Sequence, residues 1–531
     1  MTVGANSAEN DGKFLNDCFV YHSKYNLLTD ADEHGRFVYG RTGVGKTAFL
    51  RQIEDKQRHV SVINLEEMAL SHLTNSDVLK FLDALDVNIE NFFLTLWKHA
   101  LCIEYIKTKY RVDSEKKSVR VFISLRDKFL KDGTRGRALG YLEKYSNKFW
   151  IDTDIIVKEL TDSVSSIIEI EAGGMWKKFK ANANAAKNFS RENKQQVKAR
   201  LMEFIQKETL SELNHVLSLL KADNNNDEMR FILIDGIDEQ WIDESLRYKL
   251  IRALIDVQKS LRKLADLKVV VALRADIFER VMQETTEPGQ QRDKFTDLII
   301  NLKWSEKELK ELIDKRITHA YRRKYTSNPV YFSDLFSHNV GQVTAWKYIF
   351  SRCQNRPRDI ISFVNYCLER AEGNSQVSAS SIRSAEKEYS RVRIESLKQE
   401  WLSALPSLTL ILDIFRSKPA RLQVKDLLNS EEIDLLMLRL LDIENCQFDP
   451  IICYVHSHWN TWSPSDTQHL IKLIVSEIYR VGFVALKFTK DDTIQYSFKD
   501  APTIYPDEIN DESWITVHKA FHSALNKHLN S

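Results

Sequence analysis

The chain has 531 residues, 43% of them apolar and 28% charged, an ordinary globular composition that is too long for one hydrophobic core, so about three domains are expected. The 76 basic and 75 acidic side chains leave a formal charge of +1, which excludes a global field drawing the molecule onto nucleic acid or an anionic membrane; nucleic acid stays possible as a partner but is not indicated by net charge. The six cysteines form no C-x-x-C pair, the N-terminus has no apolar signal core, and no uncharged apolar window approaches about 18 residues, so a reduced, cytoplasmic protein with no membrane segment is expected.

Residues 1–35 read as an N-terminal segment, polar at first and then FLNDCFVYHSKYNLLTD. The short apolar run Phe37-Val38-Tyr39 predicts a strand, and it leads into GRTGVGKT, which fits the phosphate-binding pattern G-x-x-x-x-G-K-[ST] without a mismatch. Gly40, Gly43 and Gly45 let the backbone bend so that consecutive N–H groups meet an anion at a helix N-terminus. Gly40, Arg41, Thr42, Gly43, Val44, Gly45, Lys46, Thr47 and Ala48 are therefore the candidate nucleotide-binding residues. Lys46 is placed to reach the β and γ phosphates, and the Thr47 hydroxyl to bind Mg²⁺. The preceding segment 14–30 then falls where an adenine would be contacted.

Residues 60–65 (VSVINL) predict a second buried strand, and residues 76–110 a helix from apolar spacing. A helical insertion is expected over about 75–225. Within it Gly173-Gly174, flanked by IIEIEA and MWKKFKA, predicts a β-hairpin at about 166–183, with a flexible linker between two helices as the alternative.

The run FILIDGIDEQW (231–241) predicts a strand buried on both faces with Asp235 at its carboxyl end, where an acidic residue would hold Mg²⁺ opposite Thr47. Asp238 and Glu239 follow within one turn as candidates to polarise an attacking water, Glu239 first because its side chain is longer. LKVVVAL (267–273) predicts the next strand and places Arg274 at its tip, either as a γ-phosphate sensor or paired locally with Asp276. DLIINLKW (297–304) predicts a fifth strand, and Ser305 with Glu308 a capping box before a helix.

Residues 306–404 read as a helical lid. There NRPRD (355–359) opens an amphipathic helix, with Arg358 and, second, Arg356 placed either to reach phosphates or to cap acidic groups at the helix start. Residues 405–531 read as helices followed by a terminal hairpin, 484–488 with 493–498, which suggests a winged-helix-like domain serving as a connector or as a DNA-binding module. Thr489-Lys490-Asp491-Asp492 imitates a guanine-reading motif but falls in that hairpin turn, and Cys446, Cys453, His456 and His458 have no usual zinc spacing.

The fold class expected is α/β: a parallel-sheet P-loop NTPase core of the ASCE type (36–305) with a large helical insertion, a helical lid and a C-terminal winged-helix-like domain. GRTGVGKT, FILIDGIDE, VVVALRADI and NRPRDII resemble the additional-strand P-loop ATPases, nearest to the STAND, NACHT and KAP branch. D-G-I-D-E is similar to the NACHT form of its motif. A closer likeness, over roughly 14–400, is to bacterial P-loop ATPases with a long helical insertion that carry R-x-D-I, L-x-W and R-P-R-D, here Arg274 to Ile277, Leu302 to Trp304 and Arg356 to Asp359. The resemblance implies a bacterial ATP-dependent switch of a kind often found in anti-phage defence. It would hydrolyse ATP with Mg²⁺, form a homo-oligomer and signal to a separately encoded effector. A DNA-acting motor or loader, and a scaffold that binds ATP without turnover, are the alternatives.

Overall fold

The computed structural model describes the chain except residues 1, 31, 65–76, 86, 88, 132–138, 141, 145–152, 183–189, 223–227, 238–243, 263, 285–296, 323–327, 444–447 and 527–531. The chain is mixed α/β and divides into two compact units. One, the sheet unit, comprises Ser23–Arg41 and Lys46–Leu302; the other, the helical unit, comprises Met1–His22, Thr42–Gly45 and Lys303–Ser531. No helix among the described residues is long and apolar enough to cross a membrane.

The sheet unit is organised on five parallel strands: β1 (Phe37–Gly40), β2 (Val60–Asn64), β3 (Arg230–Asp235), β4 (Leu267–Arg274) and β5 (Ile299–Asn301), in the order β2-β3-β4-β1-β5. Phe231 to Ile234 and Val269 to Leu273 are at most 1% exposed, as expected of strands covered on both faces. The register pairs Gly40 with Arg274 and Asn64 with Asp235, so the polar residues that end the apolar runs stand along one carboxyl edge. Helix α1 (Lys46–Lys56) follows β1 and buries Phe49, Leu50 and Ile53. Helix α2 (Ile89–Tyr110) is apolar on most sides and correspondingly buried; its Trp97 indole donates to the Leu250 carbonyl (3.0 Å).

The opposite edge of the sheet holds buried charges with close partners. Arg230, at the start of β3, pairs with Asp266 at 2.7 Å. The Lys268 ammonium donates to the carbonyls of Leu27 (2.9 Å), Asp30 (2.5 Å) and Glu33 (3.2 Å), fixing the segment that leads into β1.

Of the stretch expected to form a hairpin at 166–183, residues 166–181 are helical, and residue 183 lies outside the described residues. Helix α3 (Thr153–Ala181) runs through it with a kink at Gly173, where φ is +34° and ψ −100°. Val164, Ile168, Ala172, Trp176 and Phe179 are all buried, at helical spacing on both sides of the glycines, and the Trp176 and Phe179 rings lie 4.9 and 5.2 Å from that of Phe81. The alternation of IIEIEA is a short coincidence inside this longer 3.6-residue pattern.

In the sheet unit α4 (Glu244–Leu261) joins β3 to β4, and α5 (Ala275–Glu284) follows β4. The helical unit continues with α6 (Glu306–Arg322), α7 (Pro357–Arg370) and α8 (Ala379–Trp401). The expected capping box is present at α6: Ser305 N–H donates to Glu308 Oε2 (2.8 Å), and Glu308 N–H to Ser305 Oγ (3.2 Å). Buried Arg316 of α6 pairs with buried Asp11. Helices α7 and α8 pack together, with Phe363 stacked on Tyr389 at 4.4 Å.

Residues 405–531 contain α9 (Leu408–Ile414), β6 (Arg421–Gln423), α10 (Ser430–Leu441), α11 (Pro450–His458), α12 (Pro464–Arg480), β7 (Val484–Lys487) and β8 (Trp514–Val517). The three strands form an antiparallel sheet in the order β6-β8-β7. The expected partner of 484–488 is thereby corrected. Of residues 493–498 only Gln495 bridges β7, at Leu486, whereas β8 pairs along its length with β7, setting buried Ile515 and Val517 against Leu486 and Val484.

Candidate functional site

The 40–47 loop connects β1 to α1. Gly43 (φ +82°) and Gly45 (φ +96°) occupy the left-handed region that side-chain-bearing residues avoid. At Gly43 space is also closed: a Cβ there would stand 2.9 Å from the Arg358 Cβ and 3.3 Å from its Nε.

The tip of the loop, Thr42–Gly45, belongs to the helical unit, and three consecutive carbonyls account for this. The Thr42 carbonyl accepts from Arg356 Nη1 (2.8 Å), the Gly43 carbonyl from the Arg358 backbone N–H (3.3 Å), and the Val44 carbonyl from the Trp304 indole (2.7 Å). In a trans peptide the carbonyl and the following N–H point in opposite directions. Holding these carbonyls therefore turns the N–H groups of Gly43, Val44 and Gly45 away from those partners, just ahead of the N-terminus of α1. Lys46 begins that helix and donates from Nζ to the carbonyls of Gly40 (3.2 Å) and Arg41 (3.4 Å). Thr47 and Ala48 follow in its first turn, both half-buried. This arrangement suits an anion: backbone donors, a helix N-terminus and an ammonium on one short segment.

Asp235 ends β3, half-buried, its Oδ1 accepting from the Gly236 N–H (3.0 Å). It lies on the same sheet edge as Gly40, two strands away across β4, or roughly 10 Å at the usual strand spacing. Arg274, at the tip of β4, donates from Nε and Nη2 to Asp276 at 3.1 and 2.6 Å, which is the local pairing weighed above. Asp238 and Glu239 lie outside the described residues.

The two arginines of the NRPRD turn have different environments. Arg356, 1% exposed, donates to Asp359 Oδ2 (3.1 Å), Thr42 O (2.8 Å) and Gln354 Oε1 (3.0 Å), and lies 3.5 Å from Glu400. Burial alone would push the Asp359 carboxyl up. The guanidiniums of Arg356 and Arg393 and the Gln354 N–H hold it well below the usual carboxylate range. Arg358 is half-buried and packs along Gly43; among the described residues its guanidinium makes no ion pair and no side-chain hydrogen bond. Burial accordingly lowers its pKa from the ordinary value. A desolvated cation of this kind is a natural partner for a phosphate.

Trp304, Gln354 and Glu400 are site-supporting residues that motif reading missed as such. Only Trp304 carries a local signal, an aromatic residue with a donor placed just after a strand.

Residues 307–398 match the family model described as the FunZ-associated C-terminal helical domain, which covers α6 to α8 almost completely. The chain is also similar to the "Putative transposon gamma-delta 80.3 kDa protein" of Escherichia coli (strain K12), 23% identical over 548 aligned residues that span 99% of this chain and 67% of that protein. No solved structure matches.

Proposed function

We propose that the protein is an ATP-binding and ATP-hydrolysing molecular switch of the P-loop type. The observation that carries this reading is the outward hold on the carbonyls of Thr42, Gly43 and Val44, which orients three consecutive N–H groups ahead of an α-helix beginning at Lys46. The strand order supports the additional-strand form, because β4 stands between the loop-bearing β1 and the Asp235-bearing β3. Thr47 and Asp235 offer hydroxyl and carboxylate oxygens, a hard donor pair that fits Mg²⁺. The ion would supply neutralisation of phosphate charge. Arg358 would bind a phosphate of the nucleotide, and Glu239, with Asp238, would orient the attacking water.

In this reading the large helical regions carry a conformational signal to a separate effector, with anti-phage defence as the setting and a homo-oligomer as the working form. The order β6-β8-β7 with α9, α10 and α12 supports a winged-helix-like domain. Its helix α12 buries Leu470 and every residue from Ile474 to Tyr479, which leaves little free face for a DNA groove and favours the connector role. The transposon in the relative's name gives the DNA-acting alternative its one support.

The test is phosphate release from ATP by the purified full chain with Mg²⁺, beside Lys46→Ala and Glu239→Gln. Turnover in the wild type, reduced about 100-fold or more in both variants, is expected. Equal turnover in all three would sink the assignment. Duplex DNA binding that weakens steeply with salt would move the balance to the motor.

A further inference from the structure

Gln354 joins the loop to the C-terminal region through a continuous set of hydrogen bonds, buried at Gln354 itself and partly buried at the loop. Its Oε1 accepts from Arg356 Nη2 (3.0 Å), while Arg356 Nη1 donates to the Thr42 carbonyl (2.8 Å). Its Nε2 donates to the Gly482 carbonyl (2.6 Å). Gln354 and Arg356 are each 1% exposed, so water does not readily replace a broken bond. The Gln354 backbone is held as well: its N–H donates to Asp359 Oδ2 (3.1 Å), and the next residue, Asn355, is left-handed at φ +51°.

Gly482 is the turn between α12 and β7. At φ +80° it reverses the chain, with its N–H donating to Tyr479 O (2.8 Å) and the Phe483 N–H to Ile478 O (2.9 Å). The neighbouring Phe483 carbonyl accepts from the His518 N–H (2.9 Å), which follows β8. Three side-chain bonds therefore connect a loop carbonyl to the point where helix and sheet of the C-terminal region meet.

We propose that Gln354 is the coupling residue of the switch: it transmits the position of the Thr42 carbonyl to the α12–β7 turn, so that nucleotide at the loop alters residues 481–487. This rests on the reading of 40–47 as a nucleotide loop. A shift of Thr42 must either carry Arg356 and Gln354 with it or leave a buried polar group unpaired, and the second outcome is the costly one. The coupling needs no contact between nucleotide and the C-terminal region. Arg356 positions the loop, and Gln354 carries its state onward.

The experiment is hydrogen exchange on the full chain with and without ATPγS and Mg²⁺, read at 40–50 and at 481–487. In the wild type both segments change, the distal one by about 3-fold or more in exchange rate. Gln354→Met keeps chain length but removes both amide bonds. It is expected to retain ATPγS affinity within about 3-fold while the response at 481–487 disappears. Gln354→Asn, one methylene too short to span both partners, gives the same pattern if the methionine variant does not fold. A distal response of wild-type size in the folded variants overturns the proposal, as does a wild type that protects 40–50 and leaves 481–487 unchanged. No protection at 40–50 at all overturns the underlying nucleotide reading and the coupling with it. A residue with only a structural role would alter basal exchange at 481–487 without abolishing its nucleotide dependence.

Discussion

At the carboxyl edge of the parallel sheet, Asp235 and Arg274 stand half-buried at strand tips. Around Asp359 in the helical unit, by contrast, Arg356 and Arg393 are 1% and 4% exposed. Arg230 with Asp266, at the other edge of the sheet, follows the second pattern. Charges that are buried and paired hold elements together, because removing one leaves its partner uncompensated in a poorly solvating interior. At the sheet edge Arg274 is paired with Asp276 and Asp235 accepts from the Gly236 N–H, but both stay half-buried, within reach of solvent. The NRPRD turn sets a buried, paired arginine, Arg356, two residues from a half-buried one, Arg358, so deep and partial burial can be compared within a single helix turn.

The largest expected effect lies on the buried side. Arg356→Ala leaves Asp359 without its nearest guanidinium, removes a cation from Glu400 and leaves the Thr42 and Gln354 oxygens without this donor, and should destabilise the chain by about 3–5 kcal/mol in urea unfolding. A loss below about 1 kcal/mol would mean that the cluster is not the anchor its geometry suggests. On the edge side, Asp235→Asn should lower ATP turnover on the order of 10²-fold through weaker Mg²⁺ binding, with urea stability within about 0.5 kcal/mol of the wild type. Loss of stability in place of activity would place Asp235 with the buried class. Arg358→Ala comes third. ATPγS affinity should fall about tenfold while stability moves by less than about 1 kcal/mol, since among the described residues its guanidinium makes no ion pair. If calorimetry finds the affinity unchanged, the Arg358 guanidinium does not serve a phosphate.

The sheet was legible because its strands obey a strict rule: FILI and VVVALR are continuous apolar runs that end in a polar residue, and a parallel sheet puts such ends on one edge. The bend within 40–47 was legible because two of its three glycines, Gly43 and Gly45, take left-handed φ. Local pattern did not suffice at Gly173, where a pair of glycines is compatible with a hairpin and with a helix kink, and packing against Phe81 decides. It failed at 493–498 for a related reason, since β7 found its strand partner some 30 residues onward in β8. The role of Gln354 was not legible either. Its two partners, Arg356 and Gly482, are 2 and 128 residues away, and a glutamine carries no marker of which contacts it will make.

The smallest expected effect concerns the support of the loop. The Trp304 indole gives one hydrogen bond to the Val44 carbonyl at 2.7 Å, and its ring is 7% exposed. Trp304→Phe keeps an aromatic ring at the site but loses the donor, which should cost about 0.5–1.5 kcal/mol. If Trp304 only fills space, the cost appears as lower stability with ATPγS affinity unchanged. If it holds the peptide between Val44 and Gly45 so that the Gly45 N–H faces the phosphates, affinity falls by about 2- to 10-fold, because part of the binding energy must then reorder the loop. Calorimetric titration beside urea unfolding separates the two, and an unchanged affinity would leave the hold on the loop to the Arg356 and Arg358 bonds to the Thr42 and Gly43 carbonyls among the described residues.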